Sequence, residues 1–174
     1  MAALVLPAFA PCTALTETQF ESGWGQHAAS SGALTNPTEM SFEVPFQGGS
    51  YRVRVRSRVL PKWVVPAISS FMEMQNLRDN WNSYGAKRIK RDLISQSLNV
   101  LGQIMEQDSP APSVVPLSDG GLQLEWHRKQ QDLEIVFPAD ETPSFIYQNR
   151  ATGEQTEGYA TDVFNLAQLL RNIA

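Results

Sequence analysis

Cysteine occurs once in the 174 residues, at Cys12, and histidine twice, at His27 and His127. A single cysteine excludes an intrachain disulfide and a thiolate metal site built from one chain. Two histidines exclude a multi-histidine metal centre. No run approaches the ~20 apolar residues that span a bilayer. Lys and Arg are missing from residues 1–51. The apolar start MAALVLPAFAPCTA therefore has no basic stretch of the kind a secretory signal carries, and two prolines interrupt it. It reads as an apolar arm that packs on its own domain or on a partner, and a cytoplasmic location without membrane contact is expected. Also missing are G-x-S-x-G, H-E-x-x-H, paired C-x-x-C, G-x-G-x-x-G and the P-loop spacing. The expectation is a protein that is not an enzyme and carries no cofactor.

What is present is ordinary globular composition, 42% hydrophobic and 18% charged. A chain of this length buries a core without a metal or disulfide staple. The net charge of −4 argues against a general nucleic-acid coat protein. The charge is unevenly spread: residues 1–51 carry −4, residues 52–91 carry +8, and residues 92–174 carry −8. Such asymmetry marks either a surface for an acidic partner or an internal pairing of the basic middle with the acidic last half.

Residues 15–38 are rich in Ser, Thr, Gly, Ala and Asn with no sustained apolar period, so residues 1–39 are expected to form an apolar, irregular arm and residues 40–174 a single domain. Two alternating runs, 41–46 and 51–59, flank Gln47-Gly48-Gly49-Ser50 and predict a β-hairpin. Pro66 suits the first turn of a helix running to about Arg78. A second helix is expected from about Ile89 to Glu106, with Ile94, Leu98, Leu101 and Met105 at helical spacing. Short strands follow at 113–117, Leu122–Trp126, Leu133–Phe137 and Ser144–Asn149. Thr161 or Asp162 then caps a closing helix. The expected order is ββααββββα. Strands in runs and helices in runs indicate an α+β fold with helices on one face of an antiparallel sheet. Its core is expected to hold Leu101, Leu124, Trp126, Ile135, Phe137, Leu169 and Leu170.

Two groups of residues are candidates for function. If 128–131 is a loop, the second hairpin has a fixed register: Trp126 opposes Leu133, Leu124 opposes Ile135 and Leu122 opposes Phe137. Glu125 then opposes Glu134 on the other face, with His127 and Asp132 beyond. These four are weak candidates for a divalent metal or for a metal-dependent hydrolase. A solvated acidic face, or one neutralised by arginines, is the plainer reading. A nuclease of paired-strand type would want a lysine where Val136 stands.

The second group is basic. Arg52, Arg54, Arg56 and Arg58 alternate along one face of a strand, spanning roughly 20 Å, a spacing that suits phosphates or carboxylates. Lys87, Arg88, Lys90 and Arg91 cluster near a helix N-terminus, where the macrodipole disfavours positive charge. Trp63, Trp81 and Tyr84 lie nearby in sequence and could stack on bases. The alternative is that the arginines pair with this chain's own acids.

Asn80-Trp81-Asn82-Ser83-Tyr84-Gly85-Ala86 and Asp119-Gly120-Gly121-Leu122-Gln123-Leu124-Glu125-Trp126 form a familiar pair. Over about residues 77–137 the chain resembles a bacterial protein family of no known activity, with NWDxYGA-like and DGGxxLEW-like motifs. Asn82 departs from that pattern, which has Asp there. The resemblance implies a bacterial-type domain and no particular chemistry. Read physically, Trp81 and Tyr84 are expected to plug the inter-helix connector into the core, while Gly85 permits the turn. The function expected is non-catalytic binding through protein–protein contact, as an antitoxin, an inhibitor or an accessory subunit. A nucleic-acid-binding accessory protein using the two basic groups is the alternative.

Overall fold

A computed structural model of the chain describes residues 59–174 and, before them, the backbone of four strands. Those strands are β1 (Ala2–Pro7), β2 (Thr13–Thr16), β3 (Glu39–Phe46) and β4 (Gly49–Arg56). They form one sheet in the order β2-β1-β4-β3. β3 and β4 pair antiparallel from Glu39↔Arg56 to Phe46↔Gly49, the expected hairpin, whereas β1 runs parallel to β4. β4 ends at Arg56, three residues before the expected limit.

The helices follow the apolar spacing. α1 (Val64–Asn76) starts two residues before Pro66, which stands in the first turn, where a missing N–H breaks no intrahelical bond. Val64, Ala67, Ile68 and Phe71 form its buried stripe. α2 (Arg91–Ile104) is two residues shorter at each end than the pattern suggests. It buries Ile94, Leu98 and Leu101, with Met105 buried just beyond its end. Ser97, also fully buried, donates its hydroxyl to the Ile94 carbonyl at 3.0 Å. α3 (Val163–Ile173) is capped by Asp162, whose carboxylate accepts from the Asn165 N–H at 3.2 Å. Leu166, Leu169, Leu170 and Ile173 point inward, while Phe164 faces out at 73% exposure.

The second sheet is a five-stranded antiparallel meander, β5 (Ser113–Pro116), β6 (Leu122–Arg128), β7 (Gln131–Phe137), β8 (Ser144–Asn149) and β9 (Glu154–Tyr159), in sequence order. The fold is therefore α+β with an antiparallel sheet. The element order, ββββααβββββα, has three strands more than expected: β1, β2 and β9. β1 and β2 lie within the stretch read as an irregular arm, in which a continuous apolar run carries no period-2 signal. β9 was hidden for a different reason. Its inward positions are Thr156 and Gly158, opposite Tyr147 and Phe145. The Phe145 ring already occupies the space, lying 2.8 Å from where a Gly158 Cβ would stand. An edge strand whose partner supplies the bulk shows no apolar alternation of its own.

The β6–β7 register matches the expected one at every pair from Leu122↔Phe137 to His127↔Asp132. It buries Leu122, Leu124, Trp126, Leu133, Ile135 and Phe137 on one face, joined by Phe145 and Tyr147 from β8. Apolar residues of all three helices belong to the same core cluster. Fully burying each large aliphatic side chain contributes about 1.5–3 kcal/mol. The Trp126 indole N–H donates to the Pro110 carbonyl at 2.8 Å, whereas the indole nitrogen of Trp63, 3% exposed in the same core and therefore not placed to stack on a base, has no hydrogen-bond partner.

The β6–β7 connection is tighter than the four-residue loop anticipated. Arg128 pairs with Gln131, and only Lys129 and Gln130 turn, at φ 50° and 60°. Two left-handed residues define a type I′ turn, which favours Asn-Gly. Gln130→Gly should therefore raise stability by about 1 kcal/mol, or about 2–4 °C in Tm. Gly121→Ala should do the reverse, because its Cβ would meet the Phe137 carbonyl oxygen at 2.5 Å and the Pro138 Cα at 2.9 Å. Both are backbone atoms that cannot rotate away, and overpacking of this kind costs about 1–3 kcal/mol. Thermal melts of the two variants beside the parent check both signs.

Candidate functional site

The connector between α1 and α2 is built from side chains that replace backbone partners. Asn80 has φ 64° and its side-chain carbonyl accepts from the Gly85 N–H at 2.7 Å. Asn82 accepts from the N–H groups of Tyr84 at 2.8 Å and Ala86 at 3.2 Å. Asn80 N–H closes the loop onto the Ala86 carbonyl at 2.6 Å. A carbonyl oxygen suffices for what Asn82 does here, so Asn serves where an Asp was expected. Trp81 is half-buried and donates its indole N–H to the Lys87 carbonyl at 3.2 Å. Tyr84 does not plug the core: it is 92% exposed, because the Asn82 turn aims it outward.

The connector then docks on the Asp119-Gly120-Gly121 turn. Lys87 N–H donates to Ser118 O and Lys90 N–H to Gly120 O, both at 2.9 Å. Gly120 has φ 95°, and a Cβ there would lie 2.9 Å from the Arg88 carbonyl. Asp119 accepts from the N–H of Gly121 at 2.8 Å and of Ala139 at 2.9 Å. Partial burial pushes the Asp119 carboxyl up, but the N–H donors of Ala139, Gly121 and its own residue outweigh that and hold it below the ordinary range. The two sequence motifs are thus halves of one junction.

Beside this junction lies an open groove of about 1310 Å³. Arg78, Lys87, Arg88, Lys90 and Arg91 line it together with Gln75, Asp79, Asp92 and Asp119. The structure therefore brings together all four members of the Lys87–Arg91 cluster and adds Arg78 from the end of the α1 segment. Lys90 is committed elsewhere: its ammonium contacts the Asp140 carboxylate at 2.7 Å and the Ala139 carbonyl at 2.9 Å. Arg78, Lys87 and Arg88 have no ion-pair partner among the described residues. The α2 N-cap, Lys90, makes no side-chain cap bond. Arg52, Arg54 and Arg56 fall in β4, but their side chains, like Arg58 altogether, lie outside the described residues, as does the proposed pairing of this stripe.

The acidic candidates separate. Glu125 and Glu134 are opposite in register, yet Glu134 accepts from the Gln123 amide at 2.9 Å. Glu125 turns instead to His127 Nε2 at 3.2 Å, and His127 Nδ1 contacts Asp132 at 2.7 Å. Arg150 adds a bond from Nε to Asp132 at 2.8 Å. Carboxylates at both ring nitrogens favour the imidazolium, and the Asp132 and then Glu125 hydrogen bonds raise the His127 pKa. Both ring nitrogens are thus engaged by carboxylates of this chain. Among the described residues no group of three or more His, Cys, Asp or Glu is arranged to hold a metal ion. No helix among them is long and apolar enough to cross a membrane.

Comparison of the chain with family models, curated proteins and solved structures gave no match.

Two pH dependences follow, with opposite signs. Asp119 is depressed, so its contribution is present above the unfolded value of about 3.9 and is lost as pH falls through the folded pKa. His127 is raised, so its contribution is complete below about 6.5 and is lost as pH rises through the folded pKa. Asp119→Ala should cost about 2 kcal/mol near neutral pH, since two backbone N–H groups lose a charged acceptor. The difference between parent and variant should shrink in acid. For His127→Gln the difference should shrink in alkali. Urea titrations of the three proteins across pH provide the check, and differences that do not vary with pH would contradict both assignments.

Proposed function

We propose that the chain is a non-catalytic binding protein that works through protein–protein contact, as an antitoxin, inhibitor or accessory subunit of a larger bacterial assembly. The observation that carries this reading is the groove at the start of α2, where Arg78, Lys87 and Arg88 have no ion-pair partner among the described residues. Cations beside a helix N-terminus favour an anionic partner, because the N-terminal dipole and the side chains act in the same direction. The groove also carries Asp79, Asp92 and Asp119. Interleaved carboxylates repel a continuous phosphate backbone and fit a partner surface that is mainly, not wholly, acidic. Opposed charges of this kind govern orientation and encounter rate more than affinity.

One observation favours nucleic acid as a second reading: Tyr84 stands 92% exposed on the connector leading into the cations, free to stack on a base. A paired titration separates the two. A Glu-rich synthetic peptide should change Trp81 fluorescence, and the double variant Lys87→Glu/Arg88→Glu should bind it at least about tenfold more weakly, as loss of contacts worth ~1.4 kcal/mol would require. Mixed-sequence RNA should bind weakly. Equal peptide binding by parent and variant contradicts the protein-contact reading. Tight RNA binding with a steep salt slope, lost in the variant, would replace it with the nucleic-acid one.

A further inference from the structure

The face of the five-stranded sheet turned away from the core has its own charge pattern. Cross-strand register aligns Glu125, Glu134, Ile146 and Glu157 in one row across β6 to β9. The neighbouring row holds Val136, Ser144 and Tyr159. The helices contribute to the core on the opposite face, and this outer face leaves Ile146 43% and Tyr159 64% exposed. Its described cations are spoken for: Arg150 holds Asp132, and His127 bridges Asp132 and Glu125. Glu134 and Glu157 have no cationic partner among the described residues. Among the described residues the face is thus acidic and punctuated by an aliphatic and an aromatic side chain.

The groove carries the opposite excess: Arg78, Lys87 and Arg88 line it with no ion-pair partner among the described residues, beside Asp79, Asp92 and Asp119, and Tyr84 is exposed on the connector three residues before Lys87. From this complementarity we infer that the acidic surface received by the groove is the outer sheet face of a second copy of this chain. The inference rests on the groove being a protein-docking site and names its occupant. The two surfaces are different parts of one molecule, so the contact is heterologous, and copies join head to tail. Glu134 and Glu157 face the groove cations, while Tyr84, Ile146 and Tyr159 supply the apolar contact that aromatic-rich interfaces use.

Sedimentation velocity on the full chain tests this. At low ionic strength the parent should form species larger than the monomer as concentration rises. At about 1 M salt, where screening cuts the reach of charges to about 3 Å, it should return to the monomer. The groove variant Lys87→Glu/Arg88→Glu and the face variant Glu134→Lys/Glu157→Lys should each remain monomeric. An equimolar mixture of the two should associate again, since each reversed surface now matches the other variant. Circular dichroism confirms folding, and the neutral groove pair Lys87→Gln/Arg88→Gln replaces the reversal if that fails to fold. A parent that stays monomeric at low salt overturns the inference. So does a mixture that stays monomeric, or self-association that persists in either variant. If the parent is monomeric yet still binds the Glu-rich peptide through Lys87 and Arg88, the groove reading stands and only the second copy is ruled out.

Discussion

The Asp119 carboxylate accepts backbone N–H groups from its own turn, at Gly121, and from Ala139, two residues past the end of β7. That turn in turn receives the Lys87 and Lys90 N–H groups of the inter-helix connector. Helix α2 therefore starts where it does because the sheet tells it to. Glycine is required on both sides of the junction for steric reasons: Gly120 faces the Arg88 carbonyl, and Gly121 faces the Phe137 carbonyl. A side chain at Gly120 would push the connector off the turn, and one at Gly121 would push the turn off the end of β7. Four cations stand between residues 87 and 91, and docking places them along one groove. The groove is a consequence of the turn.

Much of this architecture could be read from the residues, for reasons that are local. Leu122, Leu124 and Trp126 alternate against Leu133, Ile135 and Phe137, and a one-residue slip would turn every one of them to the wrong face. Asp162 has the side chain and position of an N-cap, and the apolar spacing behind it is helical. Illegible features were those in which one element supplies what another lacks. β9 shows no alternation because Phe145 fills the space above Gly158. The two-residue turn at Lys129-Gln130 uses residues that rarely adopt left-handed φ, and the Arg150 N–H bonded to the Gln130 carbonyl at 2.7 Å helps hold it.

The candidate site was legible in the same partial way. Lys87, Arg88, Lys90 and Arg91 stand out as a run, and a run on one short segment must share a neighbourhood. What the run cannot reveal is that Lys90 is spent on Asp140, fifty residues away in sequence. Nor does it show that Arg78 joins from the far side of the connector. Tyr84 reads as a core plug because aromatics usually are, and only the Asn82 turn reverses it. The acidic pair on β6 and β7 reads as a carboxylate site by register alone. Side-chain geometry dissolves that pair, giving Glu134 to Gln123 and Glu125 to His127.

Among the described residues, Arg78, Lys87 and Arg88 line the groove and Glu134 and Glu157 stand on the outer sheet face, with the connector junction placing the groove. Native-state amide hydrogen exchange at Lys87, Lys90 and Gly121 probes that junction most directly. These N–H groups are bonded to Ser118 O, Gly120 O and the Asp119 carboxylate. A built-in groove requires them to be protected to a level approaching that of core amides such as Leu124 and Ile135. Exchange at the rate of an unfolded chain, with the core still protected, would mean that the connector is not docked and the groove is not a fixed part of the fold.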